Sequence, residues 1–182
     1  MITRTESIDL INQHISNKNL IKHMIAVEGI MRSLARHFGE DEELWGLTGL
    51  LHDLDYDLTV NDFPRHGLMT AEILCQYDVP PEAIYAIKAH PGHVPAVNLI
   101  DKALYAADPI SGLIVASALM HPDKKIASLN TEFVLRRYKE KRFAAGANRE
   151  QIATCSELGL TLEEFIALSI KGMGEVAGEV GL

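Results

Sequence analysis

Apolar residues recur at three- and four-residue intervals along most of the chain, and no segment shows the strict alternation of a half-buried strand. Two stretches have the spacing of a capping box, which marks the start of a helix: Thr3 with Glu6, and Thr161 with Glu164. The pattern therefore predicts an all-α protein.

Prolines, glycines and asparagines divide this pattern into separate helices. Asn19 is predicted as the N-cap of a long helix that stops at Gly39. Pro109 is predicted to bend or break a helix that begins near residue 97. The predicted helices cover residues 20–37, 40–53, 64–77, 81–90, 97–108 and 110–120, with a polar loop over residues 55–63.

The sequence predicts a single domain over residues 1–182, because no repeat or low-complexity linker divides the chain. Its core is predicted to span about residues 20–120. Residues 121–182 carry more charge and are predicted to form peripheral C-terminal helices. Residues 131–142 include several cations, which we interpret either as a solvated helix face or as part of a substrate rim.

Histidine and aspartate side chains stand on the apolar stripes of five predicted helices. The adjacent pair His52 and Asp53 closes an apolar run that otherwise has the pattern of a buried helix. A buried carboxylate is costly unless a charge or a metal meets it, whereas a single buried histidine is more often an ordinary core residue. Neutral imidazoles and ionised carboxylates suit Fe, Mn, Zn, Co or Ni. The candidate ligands are His23, His52, Asp53, His66, His90 and Asp108.

The chain is acidic, with a formal net charge of −8 over 182 residues. This balance argues against nucleic-acid binding, which needs a basic face, and an anionic substrate would need a cation in the site. The longest apolar run, near residues 113–120, is shorter than a membrane span of about 20 residues, so no membrane partner is predicted. Cys75 and Cys155 have no paired spacing, which predicts reduced thiols and a cytoplasmic location.

The order His23, then His52 and Asp53, then Asp108 in an all-helical chain resembles the HD superfamily of metal-dependent phosphohydrolases. Leu-Leu-His-Asp at residues 50–53 is the usual local context in that superfamily, and the resemblance covers roughly residues 20–120. It is greatest to a branch of bacterial HD proteins with two longer patterns, which match residues 52–56 and 103–113 here.

The resemblance implies an HD-domain helical bundle with a C-terminal helical appendage. His66 and His90 match two additional histidines of HD subfamilies that hold two metal ions, so two divalent ions are implied. The implied activity is hydrolysis of a phosphate ester or anhydride, here of a nucleotide, by a water that the metals acidify. Asp53 is then the catalytic carboxylate that bridges the ions.

Two other functions are compatible with the same sequence. The same ligand set supports a mixed-valent di-iron oxygenase in some HD proteins, and the ligands alone do not separate that reaction from hydrolysis. A non-enzymatic binding module with a degenerate HD site is the third hypothesis, and the intact ligand set counts against it.

Four further residues are weaker candidates for contacting the substrate. Many members of the superfamily have a lysine four residues after the histidine of the His-Asp pair, where this chain has Tyr56. Arg65 and Lys102 adjoin ligand-bearing faces, although ordinary surface cations are the simpler interpretation of both. His93 follows His90 in a loop rich in proline and glycine, which makes it a candidate for a substrate contact.

Overall fold

A computed structural model describes residues 1–182 and confirms the all-α class, since it contains no β-strand. Three short 3₁₀ segments, Phe63–Arg65, Ile126–Ser128 and Thr154–Leu158, join some of the helices. The α-helices are α1 (Arg4–His14), α2 (Lys18–Phe38), α3 (Glu42–Leu51), α4 (Tyr56–Thr59), α5 (Leu68–Leu74), α6 (Pro81–Ala89), α7 (Leu99–Met120), α8 (Thr131–Lys139), α9 (Arg149–Ala153), α10 (Leu162–Glu175) and α11 (Ala177–Val180).

The starts of α1, α2 and α10 test the predicted helix caps. Both predicted capping boxes are present, at α1 and at α10, with the threonine and glutamate side chains each accepting a backbone N–H of the other residue. The prediction of Asn19 as the N-cap of α2 is wrong by two residues. Asn17 is the cap, because its extended backbone lets Oδ1 accept the N–H groups of Asn19 and Leu20.

The long helix α2 runs through the middle of the protein and packs against α3, α7 and α10. Its buried face includes Met24, Val27, Ile30 and Leu34, which belong to one continuous hydrophobic core. Burial of such side chains is the main source of stability, at about 1.5–3 kcal/mol each. This packing fixes the position of His23, which lies on the first half of α2.

The helices that follow residue 121 share that core. Phe165, Ile166 and Met173 of α10 are fully buried, and α10 packs on α2. The helix α9 and the segment Thr154–Leu158 lie against α7. The division of the domain into a core and a peripheral C-terminal part stays a prediction.

The helix α7 continues through Pro109, so the prediction of two helices separated there is wrong. A proline has no N–H to give to the carbonyl four residues earlier, which here is that of Tyr105. The side chain of Gln151, on α9, donates its Nε2–H to this carbonyl over 2.9 Å and replaces the missing bond. The helix is therefore continuous from Leu99 to Met120, and Asp108 lies within it.

By length and composition alone, α7 is apolar enough to cross a membrane, which the shorter apolar run in the sequence did not indicate. Its most apolar window is 56% buried inside the protein. Leu104, Ile110 and Leu113 are fully buried in the hydrophobic core. These contacts are those of the core helix of a helical bundle.

His66 lies in a connector rather than on the predicted helix over residues 64–77. Pro64 starts only a 3₁₀ turn, and Gly67 then reverses the chain with a φ of 77° before α5 begins. A β-carbon at Gly67 would lie 2.9 Å from the carbonyl oxygen of Ile87, so the turn requires glycine. The polar loop predicted over residues 55–63 similarly contains the short helix α4.

Candidate metal centre

All the ligands predicted from the sequence meet in one cluster. His23 lies on α2 and Asp108 on α7. His52 and Asp53 follow the end of α3, His66 lies in the connector before α5, and His90 follows the end of α6. Four of them are buried, whereas His23 and Asp108 keep 24% and 30% of their side-chain surface exposed. The cluster therefore opens to solvent on the side of His23 and Asp108.

The cluster contains two overlapping groups of ligand atoms that could hold a metal ion. In the first, the His23 Nε2 lies 3.2 Å from the His52 Nε2 and 3.3 Å from an Asp108 carboxylate oxygen. The second group comprises His52, Asp53 and His90. Beside it, the His66 Nε2 lies 3.0 Å from the His90 Nε2. Both pairs of imidazoles thus point their ring nitrogens at each other.

Asp53 lies between the imidazole pair of His23 and His52 and that of His66 and His90. Its Oδ1 lies 3.3 Å from the Nε2 of His52, 3.4 Å from that of His66 and 3.5 Å from that of His90. Its Oδ2 lies 3.5 Å from the Nε2 of His23. One carboxylate therefore faces all four imidazoles.

The second nitrogen of every imidazole is held by an acceptor. The Nδ1–H groups of His52 and His90 donate to the carbonyls of Gly49 and Ile87 over 2.8 and 2.6 Å. Each of these carbonyls lies three residues earlier, so the end of the helix itself orients the ring. Such outer contacts fix the tautomer and direct the lone pair of Nε2 toward a metal.

His23 is oriented through Ser111, one turn beyond Asp108 on α7. The Ser111 hydroxyl donates to the carbonyl of Asp108 over 2.8 Å, so it accepts the Nδ1–H of His23, 2.9 Å away. The Nε2 lone pair of His23 then faces the cluster. Ser111 thereby links His23 on α2 to the backbone of Asp108 on α7 through hydrogen bonds.

Asp55 is the organising residue that the sequence analysis missed. It is fully buried, and its Oδ1 accepts the Nδ1–H of His66 over 2.8 Å. Its Oδ2 accepts the backbone N–H groups of Gly67 and Thr70 over 2.7 and 2.9 Å. The signal was present in the spacing His-Asp-x-Asp, which places a second carboxylate just after the first.

Burial and the neighbouring carboxylates have opposite effects on the pKa values of the histidines in this cluster. Burial lowers the pKa of His23, but the carboxylates of Asp108 and Asp53 outweigh it and raise that pKa to about 10. For His52, burial is the larger effect and lowers the pKa to about 4. The histidines oppose the effect of burial on Asp53 and Asp108 and lower the pKa of both carboxyl groups. The carboxylates thus stabilise positive charge in the cluster.

The donor set fits a divalent cation. With Nδ1–H groups bound outside the cluster, the facing Nε2 lone pairs repel unless a proton or a metal ion lies between them. Nitrogen and carboxylate donors together are the ligands that Zn, Fe, Mn, Co and Ni accept. The geometry therefore brings together the whole predicted set and gives it the chemistry of a metal site.

A cavity of about 600 Å³ adjoins the cluster. Beyond the ligands, its walls are aromatic, aliphatic and amide side chains and one glycine, with no lysine or arginine among them. Tyr56 lines the cavity, and its ring centroid lies 5.4 Å from that of His66. The lining residues other than the ligands are Asn17, Leu20, Tyr56, Phe63, Pro91, Gly92, Tyr105 and Gln151.

The other predicted substrate contacts lie outside the cavity wall. Arg65 is exposed, and Lys102 lines a separate depression beside Val94 and Pro95. His93 donates its Nε2–H to the carbonyl of His66 over 2.8 Å, so it holds the backbone of a predicted ligand. Sequence reasoning missed Phe63, Tyr105 and Gln151, because the cavity forms from segments far apart in the chain.

A family model described as the HD domain matches residues 20–121, which is more than half of the chain. The chain therefore belongs to the HD domain family, a family of metal-dependent phosphohydrolases whose members bind divalent metals. No solved structure matches.

Curated relatives share the name Ribonuclease Y. That of Sulfurovum sp. is 29% identical over 166 residues, which cover 90% of this chain and 33% of the relative. Those of Lactobacillus acidophilus and Campylobacter curvus are 33% and 36% identical over 94 residues, or 52% of this chain and 17% and 18% of the relatives. The chain spans about a third or less of the length of these relatives.

Proposed function

We propose that this protein hydrolyses a phosphate ester or anhydride of a small molecule, with a nucleotide as the substrate class. The observation that supports the proposal is the position of Asp53, which faces four imidazoles whose outer nitrogens are already bound. Such a cluster matches the needs of two divalent ions that share one carboxylate.

In this proposal His23, His52 and Asp108 hold one ion, His66 and His90 hold the other, and Asp53 binds both. When bound, the two ions supply an acidified water and neutralise charge on the phosphoryl oxygens. Gly49, Ile87, Asp55 and Ser111 keep the imidazoles aimed at the ions. The cavity beside Tyr56 receives the substrate. The predicted cytoplasmic location and the absence of a membrane partner stay predictions.

The test is phosphate release by protein loaded with Mn²⁺ in the absence of air. Non-redox ions suffice for hydrolysis, so we expect turnover of nucleoside phosphates without oxygen. Metal-free protein is the control, and a simple aryl phosphate completes the panel. Oxygen uptake by the Fe-loaded form, with no phosphate release by either form, would favour the di-iron oxygenase instead.

Hydrolysis of RNA is a second candidate, and it would overturn the prediction that no nucleic acid is bound. The curated relatives are named Ribonuclease Y, and one of them matches 90% of this chain. Arg136, Lys139, Lys141 and Arg142 are exposed cations on an otherwise acidic protein and form no ion pair within it. Such a stretch suits a phosphate backbone.

A short single-stranded RNA in the same assay decides between the two candidates. If RNA is the substrate, cleavage will weaken steeply with added salt and with the double change Lys139→Ala and Lys141→Ala. If the small-molecule proposal holds, nucleotides will be hydrolysed, the double variant will match the wild type, and the RNA will stay intact.

The double variant His66→Ala and His90→Ala is expected to lower the metal content from about two ions per chain to about one, because it removes both imidazoles that we propose for the second ion. Metal analysis of protein purified in metal-replete medium measures this content. His37→Ala is the matched control, since that histidine is exposed at the far end of α2. A wild type that never holds more than one ion would rule out the two-ion version of the proposal.

A further inference from the structure

The wall of the cavity includes a side chain from outside the residues that the HD family model matches. Gln151 belongs to α9, which packs against α7. It is partly buried and lines the cavity together with Tyr105. The C-terminal helices therefore contribute directly to the space that a substrate would occupy.

The amide of Gln151 is held in one orientation. Pro109 leaves the carbonyl of Tyr105 without its helical donor, and the Gln151 Nε2 donates one N–H to that oxygen over 2.9 Å. No protein group donates to the Gln151 Oε1, which stays available as an acceptor. A pre-oriented amide of this kind binds a ligand at a lower entropic cost than a free side chain does.

The rest of the cavity has a matching chemistry. Asn17 uses its Oδ1 to cap α2, so its amide N–H groups are left as donors at the cavity wall. Tyr56, Phe63 and Tyr105 add aromatic surface. Without a lysine or arginine in the lining, nothing in this part of the cavity compensates additional negative charge.

We infer that Gln151 determines specificity by binding the part of the substrate that lies beyond the phosphate, an inference that rests on the proposed phosphohydrolase function. That part is an uncharged aromatic group that carries N–H donors and stacks on the tyrosine and phenylalanine rings, as a nucleobase does. The substrate carries a single phosphate, because further phosphates would enter a wall that has no cation. A nucleoside monophosphate has this chemistry.

The experiment compares wild type with Gln151→Met, which keeps the length of the side chain and removes its amide. For nucleoside monophosphates we expect the variant to lose about tenfold in kcat/KM, mostly through KM, as the loss of one hydrogen bond predicts. For methyl phosphate, whose leaving group is too small to reach α9, we expect a change of less than about twofold by the same reasoning. Wild type is expected to prefer monophosphates to triphosphates.

Two further measurements separate this role from a structural one. Calorimetric binding of the free nucleoside should weaken by the same factor in Gln151→Met, while the metal content stays close to that of the wild type. The melting temperature should fall by a few degrees at most, because the Tyr105 carbonyl loses its donor. Glu150→Gln is the matched control, because Glu150 is exposed on the same helix and does not line the cavity.

The possible failures are distinguishable. If the metal-loaded wild type hydrolyses no phosphoester, the proposed function fails and this inference fails with it. If the wild type hydrolyses monophosphates but Gln151→Met loses equally on methyl phosphate, or if nucleoside binding is unchanged, only the role of Gln151 is overturned.

Discussion

Asp53→Ala is expected to remove most of the bound metal and to reduce phosphohydrolase activity by roughly a thousandfold, which corresponds to about 4 kcal/mol of transition-state stabilisation. Asp53 is the only side chain in the cluster that approaches all four imidazoles, at 3.3 to 3.5 Å. Its loss takes one ligand from each proposed ion at once, so neither group keeps a complete set.

The fold should survive this change. Asp53 follows the end of α3, and the adjacent Leu50, Leu51 and Leu54 are buried in the hydrophobic core and hold the segment in place. Removing a buried carboxylate from a metal-free cluster also removes the cost of burying its charge. Circular dichroism should therefore show the same helical content in the variant as in the wild type.

Asp62→Ala is the matched control, since that aspartate lies in the loop nine residues further along and is exposed. It should keep both metal and activity. Metal analysis and the Mn²⁺ assay measure the outcome together. Full metal content in Asp53→Ala would contradict the central role of this carboxylate and, with it, the proposed site.

The candidate site was largely predictable because metal ligands leave a strong local signal. Each ligand had to stand on an apolar stripe or at the end of a buried helix, and His23, His52 and Asp108 all do. The supporting groups were less visible. Gly49 and Ile87 act through backbone carbonyls, which every residue has, so no side chain in the sequence marks them.

Two of the errors in the fold share one cause, which is that a tertiary contact replaced a local rule. Pro109 should break α7, yet a side chain from α9, more than forty residues away, supplies the missing hydrogen bond to Tyr105. The residues after Pro64 should continue as a helix, yet the contacts of Asp55 with His66 and Gly67 hold them in a turn. Local propensity carries no information about such partners.

Gly172→Ala is expected to destabilise the protein by about 2–3 kcal/mol, because the helices α2 and α10 cross where their backbones touch. A β-carbon at Gly172 would lie 2.7 Å from the carbonyl carbon of Gly29, and one at Gly29 would lie 2.5 Å from the carbonyl oxygen of Gly172. Both obstacles are backbone atoms in the middle of a helix, so no side chain can rotate away to make room.

Helix propensity alone would make a change from glycine to alanine stabilising, so a loss of stability in Gly172→Ala can be assigned to the helix contact. Alanine is better than glycine in a helix by about 1 kcal/mol, so a neutral position should gain stability from the same change. Gly174 is such a position, because it lies in α10 two residues later and a β-carbon there would meet no atom within 4 Å. Gly174→Ala is therefore the matched control.

Thermal unfolding followed by circular dichroism measures both variants. A loss of about 2 kcal/mol should lower the melting temperature of Gly172→Ala by roughly 4–8 °C, whereas Gly174→Ala should melt at or above the wild-type temperature. The same packing places α2, and with it His23, so metal affinity should fall in Gly172→Ala and stay unchanged in the control. Equal melting temperatures for the two variants would mean that α2 and α10 do not cross this closely.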